Sequence, residues 1–261
     1  SMPEEINRII TDRLSDLLFT PDGMADQNLR NEGIPDTAIK QVGNIMIDTL
    51  DASRPRAAGL SLKAIIESNL VRPTPRFADP SEGGDQYKVR GGFDPDSGYA
   101  VLTLHRPSNV DDASTLGSLV RYFVDELTPA LPLLWVLHPR TRKQLEAFGL
   151  WRTVACCPAV FPLERVGYHE MLRLNLGARV MLTDSGGLQE ECCVLGTPCI
   201  TLRENTERPV TLREQGGTAE LAGHDIGKIR RLFATLKDAP RGSRGRHSGT
   251  ATRRKELWKF S

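Results

Sequence analysis

The second half of the chain alternates short apolar runs with segments of helical periodicity. From Tyr99 onward the runs, rich in leucine and β-branched residues, are YAVLTL, LLWVL, RVMLT, PCITL and GTAEL. Between them lie segments such as DDASTLGSLVRYFVDEL and GYHEMLRLNL, whose apolar residues recur at helical spacing. This alternation is typical of successive βα units with parallel strands. We therefore predict an α/β fold in which residues 99–238 form one complete, doubly wound, Rossmann-like domain.

Residues 1–50 have a different pattern. Pro3 and the two glutamates after it favour the first turn of a helix, which continues through apolar positions as far as Leu14. A short LLFT run and a second helix near Met24 to Asn31 follow. These elements are too few to close a sheet without further strands. Residues 1–50 therefore need strands from elsewhere to form a complete domain.

Two other segments lack clear periodicity. We assign residues 51–98 to a connecting segment and loop insertion, because positions 71–98 are rich in Pro, Gly and Asp. Residues 239–261 are basic and without pattern. They are interpreted as a disordered tail in preference to a nucleic-acid-binding arm.

Charge and hydropathy narrow the classes of function. Lys+Arg number 34 and Asp+Glu 33, so no overall field draws the chain to nucleic acid or to an anionic membrane. Any bound anion must be held by a local site. No segment approaches the ~20 apolar residues of a membrane helix, and the first residues do not resemble a secretion signal. We predict a cytoplasmic protein without membrane or nucleic-acid partners.

The five cysteines show no zinc-binding spacing. They form the pairs Cys156-Cys157 and Cys192-Cys193 plus Cys199, with no C-x-x-C motif. Free thiols in a reducing compartment are the interpretation we favour. No metal site is predicted.

Polar side chains directly follow several of the predicted strands. They are His105, His138, Ser185 and Arg203. In a doubly wound sheet, ligands bind beyond the carboxyl ends of the strands. These residues are therefore the first candidates for a ligand crevice.

The segment TDSGGLQEE, residues 183–191, stands between a predicted strand and a predicted helix. Gly186 and Gly187 allow close approach of a ligand, Ser185 offers a hydroxyl, and the helix start offers N–H groups to a diphosphate. The alternative is that the glycines only permit tight packing. Glu191 either accepts hydrogen bonds from a ribose or is a solvent-facing helical residue.

Three further segments carry polar candidates. In RENTERP, residues 203–209, Arg203 and Arg208 either bind phosphate or belong to an ordinary polar loop. In HRPSN, His105 either moves protons or has a structural role. His138 in HPR repeats that pattern one strand later, which favours a common pocket but supplies too few ligands for a metal.

Eight motifs together resemble the UDP-N-acetylglucosamine 2-epimerase family. In chain order they are MPEEINR, VGN-x-MIDTL, LTLHRPSN, HPRTRK, VGYHEML, LTDSGGLQEE, LGTP and NTERP, and the resemblance as a whole extends over about residues 2–231. The resemblance implies a GT-B-like arrangement of two domains, with the active site between them. It also implies that residues 1–50 are the remnant of a truncated amino-terminal Rossmann-like domain of the epimerase. It also implies a reversible inversion at carbon 2 of a UDP-sugar, by elimination and re-addition of UDP, with no external cofactor. Family members are commonly homodimers.

The resemblance also implies roles for individual residues. Glu4 matches an active-site carboxylate and His105 a catalytic-site histidine. Arg106 and His138 match inter-domain positions that, in some bacterial members, help to hold a second, regulatory substrate molecule. The positions that match the UDP-holding segment are Ser185, Gly186, Gly187 and Glu191.

Departures from the family pattern lead to a second hypothesis. Met171 stands where relatives often carry a phenylalanine against the base, Arg165 replaces a proline, and Val210 replaces a glutamate after ERP. By comparison with the family pattern, we also expect the amino-terminal sheet with its two sugar-facing carboxylates to be missing. We therefore expect a fragment that binds UDP without turnover when alone, and the alternative to an epimerase is a UDP-sugar-binding module. A glycosyltransferase of related architecture is disfavoured, because it would not share PEEINR together with HRPSN.

Overall fold

The computed structural model describes residues 3–71, 97–164 and 166–241, with side chains from Glu5 onward. The predicted loop insertion, Arg165 and the basic tail beyond residue 241 thus lie wholly or mostly outside the described residues. The chain divides into two compact units between Ala52 and Ser53. Each unit is described by itself.

The amino-terminal unit contains two short parallel strands. Helix α1 (Pro3–Leu14) precedes strand β1 (Leu18–Thr20), and α2 (Gly23–Asn31) precedes β2 (Ile39–Gln41). Helix α3 (Ile45–Ala58) begins in this unit and runs past its end. Both helices predicted before residue 32 are confirmed, whereas β2 was missed because the run IKQ has a single buried residue.

The larger unit is built on one sheet. Within residues 53–241, six strands pair in parallel in the order β5-β4-β3-β6-β7-β8. Their bounds are β3 Ala100–Leu104, β4 Leu133–Leu137, β5 Val160–Leu163, β6 Val180–Thr183, β7 Cys199–Thr201 and β8 Ala219–Leu221. The five predicted runs are all strands, which confirms the α/β prediction for this part of the chain.

Strand β5 was missed because it contains Pro162. Proline lacks the N–H that a central strand needs, so its presence in a run argues against a strand unless the strand lies at an edge. Strand β5 does lie at the edge of the sheet, beside β4. The carbonyl oxygen of Pro162 accepts a hydrogen bond from the Val71 N–H at 2.8 Å.

Helices follow the strands, as the alternation predicts. Their bounds are α4 Leu62–Asn69, α5 Pro107–Val110, α6 Ala113–Tyr122, α7 Pro139–Ala147, α8 Trp151–Cys156, α9 Tyr168–Gly177, α10 Gly186–Leu195 and α11 Ile226–Leu236. Helix α6 continues into a wider π-helical turn over Phe123–Leu127. None of the helices in the described ranges is long and apolar enough to cross a membrane.

Alternate strand residues supply two cores, one on each face of the sheet. Leu102 of β3 and Trp135 of β4 belong to one core, while Val101 and Leu134 belong to the other. All four side chains are fully buried. Each buried side chain of this size contributes ~1.5–3 kcal/mol of hydrophobic stabilisation, so both faces of the sheet must stay covered.

The strand order creates a switch point between β3 and β6. From β3 the chain moves outward through β4 to β5, and from β6 it moves the other way through β7 to β8. At such a point the connections after the two central strands diverge and leave a crevice beyond their carboxyl ends. His105 follows β3 directly, and Asp184 follows β6 directly.

Candidate functional site

His105 and Asp184 meet at the switch point. Nδ1 of His105 lies 2.7 Å from Oδ1 of Asp184, and the histidine is about one-third exposed while the aspartate is fully buried. A carboxylate only accepts hydrogen bonds, so Nδ1 carries the proton in this pair. The other ring nitrogen, Nε2, is therefore the one left to exchange a proton with a ligand.

Asp184 anchors the loop after β3 as well as the histidine ring. Its carboxylate accepts hydrogen bonds from the backbone N–H groups of His105 and Arg106, at 2.9 and 2.8 Å, and from Nδ2 of Asn109 at 3.0 Å. Burial acts to raise the pKa of Asp184, but these N–H donors and the His105 ring outweigh burial and lower it. Asp184 is thus an ionised, buried group that fixes the position of His105.

Asn109 connects the loop after β3 to the end of β7. Its Nδ2 also donates to the carbonyl oxygen of Leu202 at 2.8 Å, and its side chain is buried. Neither Asn109 nor Asp184 was among the sequence-derived site residues. The signal for Asp184 was available, because an aspartate directly after a buried strand cannot stay ionised without several donors.

Threonine side chains of the two central strands stabilise the turn between β6 and α10. The hydroxyl groups of Thr103 and Thr183 lie 2.6 Å apart across the paired strands, and Thr183 Oγ1 also accepts from the Ser185 N–H at 3.0 Å. Ser185 is the N-cap residue of α10, yet within the described residues its side chain makes no capping hydrogen bond. The first N–H groups of a helix lack partners inside the helix, so they remain available to a ligand.

The two glycines at this turn are not required by the packing of the described residues. A Cβ built on Gly186 would come no closer than 3.8 Å to another atom, and one on Gly187 no closer than 4.0 Å. Both distances are ordinary van der Waals contacts, and neither residue has a positive φ. The alternative that these glycines serve tight packing is therefore disfavoured, and open space for a ligand is favoured.

Glu191 lies one turn into α10 and is mostly buried. Within the described residues, its Oε2 is buried without a hydrogen-bond partner. Burial, with a smaller contribution from the charge of Glu190, raises the pKa of Glu191 to about 7. The solvent-facing alternative is thus disfavoured, because a buried acceptor without a partner is costly unless a ligand supplies the donor.

The loop after β7 carries an arginine–carboxylate cluster. Arg203 donates from Nη1 and Nη2 to the two carboxylate oxygens of Glu207, at 2.5 and 2.9 Å. Nη2 of Arg106 lies 3.6 Å from Glu207 Oε1, and within the described residues Arg106 Nε is buried without a partner. The bonds from Arg203 lower the pKa of Glu207 to about 2, so this carboxylate is ionised near neutral pH.

Gln189 positions the rest of that loop. Its buried side chain donates to Thr211 Oγ1 at 2.5 Å and accepts from Thr206 Oγ1 at 3.0 Å. Arg208 forms an ion pair with Glu190, with 3.0 Å between Nε and Oε1. Helix α10 thereby holds the RENTERP segment beside its own first turns.

His138 and Met171 also belong to the larger unit. The rings of His105 and His138 have centroids 5.6 Å apart, and His138 Nδ1 accepts from the Arg140 N–H at the start of α7. Met171, in α9, is partly buried against the core on its face of the sheet. At the start of the same helix, the pKa of Tyr168 is raised by burial and by the nearby charge of Glu191.

Glu4 lies in α1 of the amino-terminal unit, and its side chain is outside the described residues. In the larger unit, the carboxyl ends of β3, β4, β6 and β7 in one sheet are followed by His105, Arg106, His138, Ser185 and Arg203. Gly186, Gly187 and Glu191 belong to α10, and Arg208 is paired with Glu190 of that helix. The structure gives no side-chain geometry for Glu4.

Comparisons of the sequence with protein families and with individual proteins point to the same family. The family described as UDP-N-acetylglucosamine 2-epimerase matches residues 1–254. The UDP-N-acetylglucosamine 2-epimerase of Methanocaldococcus jannaschii is 37% identical over 232 residues, which cover 88% of this chain and 56% of that protein. The UDP-2,3-diacetamido-2,3-dideoxy-D-glucuronate 2-epimerase of Pseudomonas aeruginosa is 36% identical over 79% of this chain and 49% of its own length. The chain thus spans about half the length of the curated relatives it matches.

Comparison of the structure with solved structures points to the same family as the sequence does. The M. jannaschii UDP-GlcNAc 2-epimerase in complex with UDP-GlcNAc and UDP aligns with a TM-score of 0.75 and 32% identity, covering 100% of this chain and 65% of that chain. The Neisseria meningitidis enzyme bound to UDP-GlcNAc aligns with a TM-score of 0.74 and 26% identity, covering 99% and 64%. These likenesses confirm the predicted GT-B-like α/β fold class. The sequence match and the structural matches agree with the eight ordered motifs, and the chain belongs to the UDP-N-acetylglucosamine 2-epimerase family.

Proposed function

We propose that this chain supplies the UDP-binding half of a UDP-N-acetylglucosamine 2-epimerase, which interconverts UDP-GlcNAc and UDP-ManNAc. One observation carries the proposal: in a chain of this family, the His105–Asp184 pair stands beside the open glycine turn of α10 at the switch point of the sheet. That placement puts a proton-exchanging group next to a site suited to an anion.

The diphosphate would bind at the start of α10. Gly186 and Gly187 leave the backbone accessible, and the helix end offers N–H groups and a positive dipole. Arg203 and Arg106 stand close to this turn through their shared partner Glu207, which lies 3.8 Å from the Cβ position of Gly186. Cationic and N–H donors of this kind stabilise a departing diphosphate.

The nucleoside would bind along α10 and α9. The free carboxylate oxygen of Glu191 is an acceptor for ribose hydroxyl groups. Met171 offers a flexible apolar surface to the base in place of an aromatic ring. Arg208 would lie at the edge of the site, held there by Glu190.

The chemistry asks for proton removal and return at carbon 2 of the sugar. In the elimination, a base takes the carbon-2 proton, the carbon 1–oxygen bond breaks, and UDP leaves with the bonding electrons. Re-addition of UDP with protonation from the other face inverts carbon 2. We assign one proton-transfer or positioning role to His105, whose Nε2 is set free by the bond from Nδ1 to Asp184, and a second to the carboxylate of Glu4.

The sugar specificity rests on the relatives. The two aligned structures hold UDP-GlcNAc, whereas the P. aeruginosa relative is named for a diacetamido glucuronate. All these sugars carry an acetamido group at carbon 2, so UDP-GlcNAc is the first substrate to test. The absence of a nucleic-acid partner and a cytoplasmic location remain predictions, and the homodimer that is common in the family remains to be tested for this chain.

Two measurements test the proposed function. Isothermal titration should show UDP binding to the chain, and absence of binding would overturn the proposal. Incubation with UDP-GlcNAc in deuterated water, followed by NMR, reports deuterium entry at carbon 2. We expect UDP binding without deuterium entry from the chain alone. Deuterium entry that disappears in His105→Gln would instead show that the residues of this chain suffice for catalysis.

A further inference from the structure

We infer that Glu207 is an internal competitor of the substrate: its carboxylate and the diphosphate compete for the same arginine side chains beside the start of α10. The inference rests on the proposed function, since it assigns a role to one residue of the UDP site. It predicts that diphosphate binding requires Arg203 to release Glu207.

The first argument is the geometry of the arginine. Both terminal nitrogens of Arg203 are bound by the two oxygens of Glu207, at 2.5 and 2.9 Å. The Arg203 side chain is only 8% exposed, so the guanidinium cannot turn freely toward a second anion. A two-pronged pair of this kind is also the geometry in which arginine binds phosphate. The carboxylate therefore uses the same donors that a phosphate would need.

The second argument is position. Glu207 Oε2 lies 3.8 Å from the Cβ position of Gly186, which is the first residue of α10. Its other oxygen is 3.6 Å from Arg106, whose Nε is buried without a partner among the described residues. The carboxylate thus stands between two guanidinium groups and a helix start, which is the setting proposed for the diphosphate.

The third argument is charge. Hydrogen bonds from Arg203 lower the pKa of Glu207 to about 2, so the group remains an anion throughout the neutral range. A diphosphate placed at the same helix start would lie within a few ångströms of this charge. Two negative charges at such a distance repel each other, which favours movement of the carboxylate away from the site. Release of the carboxylate is therefore part of binding, and its return would assist UDP release.

An opposite role for Glu207 predicts the opposite result. If the carboxylate served to orient Arg203 toward the diphosphate, removing its charge would loosen the guanidinium and weaken UDP binding. If it competes, removing its charge strengthens UDP binding. The direction of one affinity change therefore separates the two roles.

The test is isothermal titration of wild type, Glu207→Gln and Glu204→Gln with UDP and, separately, with uridine. Glu204 is a matched control, since it lies in the same loop, carries the same charge and is 74% exposed beside His224. We expect Glu207→Gln to bind UDP about 3- to 10-fold more tightly. Uridine, which lacks the diphosphate, should bind to all three proteins alike, and Glu204→Gln should match wild type with both ligands.

Several outcomes would overturn the inference. Equal or weaker UDP binding by Glu207→Gln, while wild type binds, would refute competition and leave the proposed function intact. Tighter binding of uridine to the same extent would show that the effect does not concern the diphosphate. Failure of all three proteins to bind UDP would overturn the proposed function and this inference with it.

A second measurement does not depend on the folding of a variant. A crystal structure of the wild-type chain with UDP should show the Arg203–Glu207 pair broken and Arg203 directed to a phosphate oxygen. A complex in which both Arg203–Glu207 hydrogen bonds persist beside bound diphosphate would overturn the inference.

Discussion

Nδ1 of His105 and Oδ1 of Asp184 lie 2.7 Å apart although the two residues are 79 positions apart in the chain. The contact exists because β3 and β6 are neighbours in the sheet, and each residue directly follows one of these strands. The contact gives the histidine one defined tautomer. Burial raises the pKa of Asp184, and the hydrogen bond from His105 is the largest of the interactions that lower it. The first prediction concerns this pair.

Asp184→Asn should alter the tautomer of His105 and destabilise the fold. An amide in place of the carboxylate turns at least one N–H toward donors from the loop after β3, so the free energy of unfolding should fall by about 2–4 kcal/mol. NMR of ¹⁵N-labelled histidine should show that proton occupancy of Nδ1 at His105 decreases. Asp111→Asn is the exposed control and should leave the His105 signals unchanged. Unaltered His105 signals in Asp184→Asn would show that the pair does not set the tautomer.

Asp184 also predicts a pH dependence. Its pKa is lowered in the folded chain, so its contribution to stability is present above its unfolded pKa and is lost as pH falls through the folded value. The stability gap between wild type and Asp184→Asn should therefore narrow below about pH 4. Denaturant unfolding between pH 3 and 7 measures it, and a gap that is constant over this range would contradict the assignment.

Glu191 predicts the reverse dependence. Its pKa is raised to about 7 in the folded chain from an ordinary value of 4.5, so wild type loses stability as pH rises between these values. Glu191→Gln removes that loss and should be the more stable protein at pH 8, by about 1–3 kcal/mol, with little difference at pH 4. Melting curves at both pH values decide it. If the stability difference between the two proteins does not grow with pH, burial does not raise the pKa of Glu191.

The same residue should matter for nucleoside binding. Glu191→Ala should weaken UDP binding by about 1–3 kcal/mol, because it removes the acceptor proposed for the ribose hydroxyl groups. Isothermal titration of wild type and variant gives the difference, with Glu146→Ala, on the exposed side of α7, as the control. Equal affinities would remove Glu191 from the site.

The glycine turn predicts a separation of stability from binding. Gly187→Ala should leave the melting temperature unchanged or raise it, because the added Cβ meets no atom closer than 4.0 Å and alanine favours a helix. UDP binding should nevertheless fall about tenfold or more, since the methyl group occupies the space proposed for phosphate. Gly216→Ala, at a φ of +85°, is the control that should destabilise without acting through the site. Undiminished UDP binding in Gly187→Ala would place the diphosphate elsewhere.

The sequence by itself determined the elements that depend on local pattern. The five apolar runs after residue 98, the first helix at Pro3 and the helix at Gly186 all follow from periodicity, proline placement and glycine. It also identified most of the strand-end residues, because the carboxyl ends of parallel strands share one edge. The family could also be identified from the sequence, because the order of the motifs along the chain does not depend on how the chain folds.

Only the tertiary structure decided which strand ends meet. Strand order is non-local: β3 pairs with both β4 and β6, and nothing in either run specifies the neighbour. The partnership of Asp184 with His105 and Asn109 therefore could not be read from the sequence, and neither could the edge position that makes Pro162 acceptable in a strand. The pairing of Arg203 with Glu207 was equally hidden, because a separation of four residues on an irregular loop does not imply a contact.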